Sequence, residues 1–204
     1  MVMGDIEMTT DLLVIGSGPG GISAAIRGAA LGLDVIVVDQ SPPPGGNWLH
    51  SGCIPSQCLL HLAAQLDDRK MLVKAGIRCA KPDIDVVLLH QWKSGQISEV
   101  AARIKSQAQR LGILFVHGRA RFDTSTVVRL EGGDISRIRF NHAVIATGAK
   151  QHIPANLEIY TGGRIMDPTM ALSLPDIPQH VLVTGDDFTC VELAQLYALF
   201  GSRV

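Results

Sequence analysis

The sequence has little charge, no block of charge of one sign and no long apolar run. Only 18% of its 204 residues are charged, and the formal net charge is -1. This balance gives no electrostatic reason to expect a nucleic acid or an anionic membrane surface as a partner. The apolar runs are short and interrupted by glycine, so none is long enough to span a bilayer. We therefore predict neither a nucleic-acid partner nor a membrane partner.

Metal-ligand spacing and a signal-peptide pattern are also missing. The four cysteines do not recur at the short spacings typical of metal sites, which predicts that no metal is bound. Residues 1–10 contain Asp5 and Glu7 and lack the basic and then apolar pattern of a secretory signal. Cysteines without a signal peptide fit a reducing compartment, so we expect a cytoplasmic protein. The 47% hydrophobic content indicates a globular fold with a real core.

The chain does contain a βαβ pattern near its start. The apolar run at 11–15 predicts a buried strand, the alanine-rich stretch at 22–31 a helix, and residues 35–39 a second strand. Strands joined by a helical crossover pair in parallel. The sequence therefore predicts the first unit of a Rossmann-like α/β sheet.

The turn between the first strand and the helix has the glycine spacing of a dinucleotide-binding loop. Gly16, Gly18 and Gly21 form Gly-x-Gly-x-x-Gly, and Gly20 lies in the same turn. Such glycines permit a tight turn, close approach of a pyrophosphate and close packing of helix on strand. The helix N-terminus offers N–H groups and a partial positive charge to phosphates. Asp39 ends the second strand, where an acid holds ribose hydroxyls.

Further helices and strands follow from periodicity and turn residues. We predict helices at 54–74 and 98–111, and strands at 115–118, 126–130, 137–140 and 142–146, with a hairpin turn at Gly132-Gly133. A second βαβ pattern follows Pro178, with a strand at 180–184 and a helix at 190–200 closed by Gly201. The predicted domains are 1–175 and 176–204. Because the second domain stops within its second strand, we expect a fragment of a longer fold.

The segment 45–57 reads Gly-Gly-Asn-Trp-Leu-His-Ser-Gly-Cys-Ile-Pro-Ser-Gln. It resembles the redox-disulfide segment of the FAD-dependent pyridine nucleotide-disulfide oxidoreductases, in particular of the dihydrolipoamide dehydrogenases. The family pattern is Gly-Gly-x-Cys, four residues, then Cys-Ile-Pro-Ser-Lys. Here Cys53 keeps the second cysteine, whereas Trp48 stands at the first and Gln57 at the lysine. A disulfide needs two sulfurs on Cα atoms within about 7 Å, so the usual dithiol chemistry is not expected.

Two more segments carry the resemblance, which covers nearly the whole chain. Residues 118–122 match the segment whose backbone receives the adenine, and residues 143–148 match the second flavin signature. The resemblance implies a three-layer α/β FAD-binding domain, a parallel sheet plus a small antiparallel hairpin layer, followed by the start of a second Rossmann unit. FAD is the implied cofactor. The implied cofactor-binding residues are Gly16, Gly18, Gly20, Gly21, Asp39, Gly46, Asn47, Gln57, Ala120, Thr147 and Gly148.

The resemblance makes Cys53 the candidate catalytic residue, since the family's second cysteine lies against the flavin and its thiolate gives electrons to it. The alternative is a small buried residue kept from ancestry. Cys58 repeats the family spacing one step downstream, but five residues of one helix rise about 7.5 Å, so no Cys53–Cys58 bridge is expected. Trp48 either stacks near the flavin or fills the space of the lost disulfide.

The loop of the second βαβ pattern matches the family's second dinucleotide fingerprint poorly. Residues 185–192 occupy the place of the family's NAD fingerprint, Gly-x-Gly-x-x-Gly-x-Glu, but only Gly185 and Glu192 fit it. Asp187 and Cys190 replace the other two glycines. A like charge about 4 Å from a phosphate costs about 4 kcal/mol at an effective dielectric of 20. Asp187 is better explained as a helix N-cap, and we expect NADH not to bind.

The resemblance implies an oxidoreductase that passes electrons between a thiol or disulfide, FAD and NAD(H), with activity impaired in this chain. A lipoamide or another thiol or disulfide compound is the implied substrate. The family is homodimeric, and its interface domain has no counterpart in these 204 residues. Two alternatives stay open: a single-thiol flavoprotein that uses Cys53 alone, and a non-catalytic module that binds FAD or a partner.

Overall fold

The computed structural model describes residues 6–41, 44–80, 82–132, 135–150 and 164–204. The chain divides into two units, one of Met1–Leu49 with Glu99–Lys150 and one of His50–Ser98 with Gln151–Val204. The strands are β1 (Glu7–Ile15), β2 (Val35–Asp39), β3 (Leu114–His117), β4 (Arg119–Thr124), β5 (Val127–Glu131) and β6 (Arg137–Ile145). The helices are α1 (Pro19–Ala30), α2 (Gly46–His50), α3 (Cys53–Lys74), α4 (Val86–Arg110), α5 (Pro168–Ser173) and α6 (Phe188–Phe200).

The first unit is built on a mixed six-stranded sheet in the order β3-β2-β1-β6-β5-β4. The four strands β3, β2, β1 and β6 run parallel, and β4 and β5 continue the sheet in antiparallel pairing. Register pairs Ile15 with Val38 on one side and with Ile145 on the other. The predicted α/β fold, a parallel sheet with an antiparallel hairpin layer, is confirmed. The carboxyl ends of β1, β2 and β6 meet at one edge.

Both faces of β1 are buried, which explains its continuous apolar run. Leu13 packs on one side in a cluster with Val128 of β5 and Ile138 of β6. Val14 packs on the other side in a cluster with Ala25 of α1 and Ala108 of α4. Each fully buried aliphatic side chain of this kind contributes about 1.5–3 kcal/mol. The parallel part of the sheet therefore packs against helices on one face and against side chains of β5 on the other.

The second unit is a helical cluster around α5. Side chains from the helices α3, α4, α5 and α6 form its buried core, with Leu59, Leu174, Leu196 and Tyr197 at most 1% exposed. Tyr197 Oη donates to Ala171 O at 3.0 Å, and Lys93 Nζ donates to Leu172 O at 2.7 Å. Burial lowers the pKa of Lys93. A cation at a helix C-terminus complements the helix dipole, so these bonds fix the end of α5.

The structure corrects three sequence predictions. Helix α4 begins at Val86 and not at 98, because Asp85 Oδ1 caps it by accepting from the N–H groups of Val87 and Leu88 at 2.9 and 3.0 Å. The strands predicted at 137–140 and 142–146 are one strand, since β6 pairs continuously with β1. The strand predicted at 180–184 is wrong.

In place of that strand, His180 forms an isolated parallel bridge with Arg203. A strand is stabilised by cross-strand partners, and among the described residues the segment 180–184 has this single bridge.

Gly133 of the predicted hairpin turn lies outside the described residues. No helix within the described parts of the chain is long and apolar enough to cross a membrane.

Candidate dinucleotide site

Two glycines of the first loop make its close packing possible. Gly16 has φ +104°, and a Cβ placed on it would lie 2.3 Å from Ala146 O. A Cβ on Gly21 would lie 1.9 Å from Gly16 O. Real Cβ atoms do not approach backbone oxygens so closely, so α1, the loop and the end of β6 meet only because these positions lack side chains.

Gly18 and Gly20 are different, because they face open space. A Cβ on either residue would meet no heavy atom within 4 Å. Gly18 is the N-cap of α1, has φ -68° and gives no side-chain cap to the helix. A ligand can therefore approach the backbone at Gly18 and Gly20 closely. Because this backbone forms the N-terminus of the 12-residue helix α1, it favours an anion such as a phosphate.

A cavity of about 410 Å³ opens beside this loop. Its size lies in the range of small-molecule sites, about 300–1,000 Å³. It is formed at the carboxyl edge of β1, β2 and β6, where ligands bind in open α/β sheets. Its lining residues are Ile15, Gly16, Val38, Asp39, Gln40, Gly118, Arg119, Ala120, Thr147, Gly148, Ala149 and Lys150. Five predicted site residues are thus brought together: Gly16, Asp39, Ala120, Thr147 and Gly148.

Asp39 is tied to the glycine loop. Its Oδ2 accepts from the N–H and from the Oγ of Ser17, both at 2.6 Å. Its Oδ1 accepts from the N–H of Ser41 at 2.8 Å. Ser17 is only 1% exposed, so its two hydrogen bonds with Asp39 are largely shielded from solvent. The carboxylate fixes the turn between β1 and α1.

The segment that follows β2 lies against the same loop. The Gly45 N–H donates to Ser17 O at 2.9 Å, and a Cβ on Gly46 would lie 3.1 Å from Gly18 Cα. The Asn47 side chain donates from Nδ2 to Ala149 O at 3.3 Å. The predicted residues Gly46 and Asn47 are therefore placed next to Gly18 and to the chain that leaves β6.

Four polar or charged residues at this site were not among the predicted site residues: Ser17, Gln40, Arg119 and Lys150. Arg119 and Lys150 line the cavity with positive charge. Other arginines of the antiparallel layer have acidic partners, for example Arg121 with Glu131 at 2.7 Å, whereas neither cavity cation forms an ion pair with any described residue. Lys150 follows Thr147-Gly148 after one residue, so its position just beyond β6 was the signal available in the sequence.

The thiols belong to the second unit. Cys53 is the first residue of α3 and is exposed. Cys58, Cys79 and Cys190 are half-buried. Burial raises the pKa of Cys58. All four cysteines fall within the described ranges and are free, in agreement with the expected absence of a Cys53–Cys58 bridge.

Gln57 has a protein partner in the second unit. Its Nε2 donates to Glu192 Oε1 of α6 at 3.1 Å. Gln57 is exposed and Glu192 is half-buried, and the hydrogen bond that connects α3 with α6 is open to solvent. Gln57 as a cofactor ligand remains a prediction from the resemblance.

The loop before α6 is closed by its own side chains. Asp187 is the N-cap, as predicted, and its Oδ1 accepts from the Cys190 N–H at 2.9 Å. That bond lowers the pKa of Asp187, while a hydrogen bond with Asp187 raises the pKa of the Cys190 thiol. The Cys190 Sγ lies 2.4 Å from where a Cβ on Gly185 would stand. A carboxylate and a sulfur thus stand at two positions that are glycines in the NAD fingerprint, so these residues do not fit NAD(H).

No group of three or more His, Cys, Asp or Glu side chains in the described parts of the chain is arranged to hold a metal ion. The described residues offer an open helix N-terminus beside a cavity in the first unit and an exposed thiol, Cys53, in the second.

Comparison with known proteins agrees with this geometry. A sequence model of the family described as pyridine nucleotide-disulphide oxidoreductase matches residues 10–204. Dihydrolipoyl dehydrogenase 2 of Haloarcula marismortui is 35% identical over an alignment of 208 positions, which covers 100% of this chain and 43% of that protein. Dihydrolipoyl dehydrogenase of Geobacillus stearothermophilus is 34% identical over an alignment of 205 positions, which covers 100% of this chain and 43% of that relative.

Among solved structures, the HOCl-induced flavoprotein disulfide reductase RclA from Escherichia coli superimposes with a TM-score of 0.77 at 27% identity. The match covers 94% of this chain and 40% of that one. The chain therefore spans less than half the length of the relatives it matches.

Proposed function

Because the chain belongs to the pyridine nucleotide-disulphide oxidoreductase family, we propose that it binds FAD in the cavity of the first unit. The carrying observation is the open space at Gly18 and Gly20 at the N-terminus of α1, beside a cavity of about 410 Å³. FAD carries a pyrophosphate, which is the group that a helix N-terminus and glycine backbone accept.

The residues present fit that cofactor, and each has a distinct part in holding it. Gly16 and Gly21 keep the loop closely packed, and Gly18 and Gly20 leave room for the pyrophosphate. The predicted adenine contact is the backbone at Ala120. Gly46, Asn47, Thr147 and Gly148 complete the predicted site, with Gln57 assigned by resemblance. Bound FAD would supply a two-electron acceptor, and the cations Arg119 and Lys150 favour its negative charge.

For the whole protein we propose a flavin-dependent oxidoreductase that acts on sulfur groups, of the dihydrolipoyl dehydrogenase type. Cys53 is the proposed reactive thiol, and a lipoamide or another thiol or disulfide compound the proposed substrate. A homodimer, a cytoplasmic location and a division into domains 1–175 and 176–204 belong to the same proposal. One observation favours a second candidate, a single-thiol flavoprotein: Cys53 is exposed and free, and position 48 carries tryptophan.

FAD binding is tested by titrating the folded chain with FAD and following flavin or tryptophan fluorescence. We expect saturable, stoichiometric binding. Folded protein that shows no saturation at high micromolar FAD would refute the proposal. Circular dichroism on the same sample establishes that the chain is folded.

NADH should not bind to the loop before α6. Asp187 places a carboxylate at the helix N-terminus where the pyrophosphate would lie, and the Cys190 sulfur fills the space over Gly185. Isothermal calorimetry with NADH should therefore show no binding heat, and the Asp187→Gly/Cys190→Gly double variant is the matched comparison. Micromolar binding of NADH by the unmodified chain would overturn this assignment.

A further inference from the structure

We propose that Arg119 and Lys150 are specificity-determining residues, which select phosphate-bearing ligands for the first-unit cavity by their charge and speed their association. The inference rests on the proposed FAD site and adds two residues to it. Both cations line the cavity and both are exposed to solvent. Asp39 is the one acid among the residues that line the cavity, so positive charge is in excess there.

Arg119 stands at the end of a ladder of ion pairs on the antiparallel strands. The other arginines of these strands have acidic partners: Arg139 with Glu7 at 3.3 Å, Arg137 and Arg129 with Asp123 at 3.9 and 3.6 Å, and Arg121 with Glu131 at 2.7 Å. Arg119 and Lys150 form no ion pair with any described residue. The uncompensated charge of the ladder therefore lies at its cavity end.

Glu131 adjusts the charge of Arg119 without lining the cavity. The register of β4 and β5 places Arg119 directly opposite Glu131, and such Cβ atoms lie about 4.5–5.5 Å apart. The Glu131 carboxylate nevertheless pairs with Arg121. Removal of the Glu131 charge should therefore strengthen the positive potential at the cavity, although Glu131 does not touch a ligand there.

Exposed cations of this kind act mainly on association. A single exposed ion pair contributes little to affinity, about 0–1 kcal/mol. Positive charge beside a cleft concentrates anions near it and raises association rates by about 10- to 1,000-fold, an effect that salt screens steeply. FAD and ADP carry negative phosphates and adenosine carries none, so the two cations should distinguish the first two ligands from the third.

Stopped-flow mixing with FAD, read by flavin fluorescence, gives the first test. Wild-type kon should fall about 5- to 20-fold between about 20 and 300 mM salt. The Arg119→Gln/Lys150→Gln variant should associate about 3- to 10-fold more slowly at low salt, depend less on salt, and keep koff within about twofold. Arg139→Gln is the matched control, because it lies six residues before Ile145, about 20 Å from the carboxyl end of β6. Its kon should equal that of the wild type.

Two acid variants separate local charge from net charge. Glu131→Gln and Glu7→Gln each remove one negative charge and release one arginine, Arg121 or Arg139. At low salt Glu131→Gln should raise the kon of FAD about 2- to 5-fold, whereas Glu7→Gln should leave it unchanged because its charge lies beyond a Debye length of about 10 Å. Equal acceleration by both variants would overturn the inference.

Calorimetry with ADP and adenosine separates this inference from the proposed function. The double variant should bind ADP about 3- to 10-fold more weakly and adenosine as the wild type does. If wild-type protein binds ADP in this charge-dependent way but does not bind FAD, the proposed function fails and the selection by charge stands. If FAD binds but the double variant matches wild-type kon at every salt concentration, the selection fails and the FAD site stands. Absence of binding for both ligands would refute both.

Discussion

Replacement of Gly18 by valine should abolish FAD binding by a chain that stays folded. Gly18 has φ -68°, which a valine adopts without strain, and a Cβ there meets no protein atom within 4 Å. The valine side chain would instead fill the space that the pyrophosphate needs. Loss of two charge-assisted hydrogen bonds, each worth about 1.5–3 kcal/mol, predicts affinity about 10²- to 10⁴-fold lower. Fluorescence titration with FAD measures this loss.

Two other glycines make the test specific. Gly95 in α4 also has open space at its Cβ position and does not line the cavity, so Gly95→Val should bind FAD like the wild type. A Cβ on Gly21 would lie 1.9 Å from Gly16 O, so Gly21→Ala should lower Tm sharply, as overpacking costs about 1–3 kcal/mol or more. Wild-type affinity in Gly18→Val would place the dinucleotide elsewhere.

NADH-dependent reduction of lipoamide should be undetectable for this chain, even with FAD supplied. Turnover in a dithiol enzyme needs a second sulfur that resolves the mixed disulfide, and position 48 carries tryptophan. Cys58 does not supply it, because all four cysteines are free and five residues of α3 rise about 7.5 Å. The loop with Asp187 and Cys190 does not fit NADH. A steady-state assay that follows NADH absorbance measures the expected zero rate.

The Trp48→Cys variant tests the alignment of segment 45–57 with the redox motif. The flanking Gly-Gly and Gly-Cys-Ile-Pro-Ser residues are kept, so under mild oxidant the new thiol should form a disulfide with Cys53. Mass-spectrometric thiol counting with and without reductant should show two thiols lost in the variant and none in the wild type. A Cys53–Cys58 bridge in the wild type, or a fully reduced variant, would contradict the alignment.

The first strand, the glycine turn and one helix cap could be predicted from the sequence, because each depends on residues that are neighbours along the chain. The run at 11–15 is buried on both faces of β1, and the Gly16–Gly21 turn leads into α1 as the glycine spacing requires. The N-cap of α6 was predictable because the Asp187 carboxylate accepts from a free N–H group only three residues further along the chain. Asp85 does the same for α4 and was overlooked, which moved the predicted start of that helix by twelve residues.

What depends on tertiary pairing was harder to predict. Residues 180–184 have the apolar composition of a strand, but composition does not supply a neighbouring strand. Within the described parts of the chain, the one β-bridge of this segment joins His180 to Arg203. Asp39 has the sequence position of a ribose ligand, yet its bonds to Ser17 become visible only when the loop is folded. The cations Arg119 and Lys150 are far apart in sequence and meet at the cavity through the sheet order.

Hydrogen–deuterium exchange with and without saturating FAD tests the central claim most directly, since it reports where the dinucleotide lies. FAD at the proposed site should slow exchange of the amides at 16–22 and 147–149, and leave the amides at 185–192 unchanged. Saturable FAD binding without protection of 16–22, or with protection at 185–192, would contradict the account.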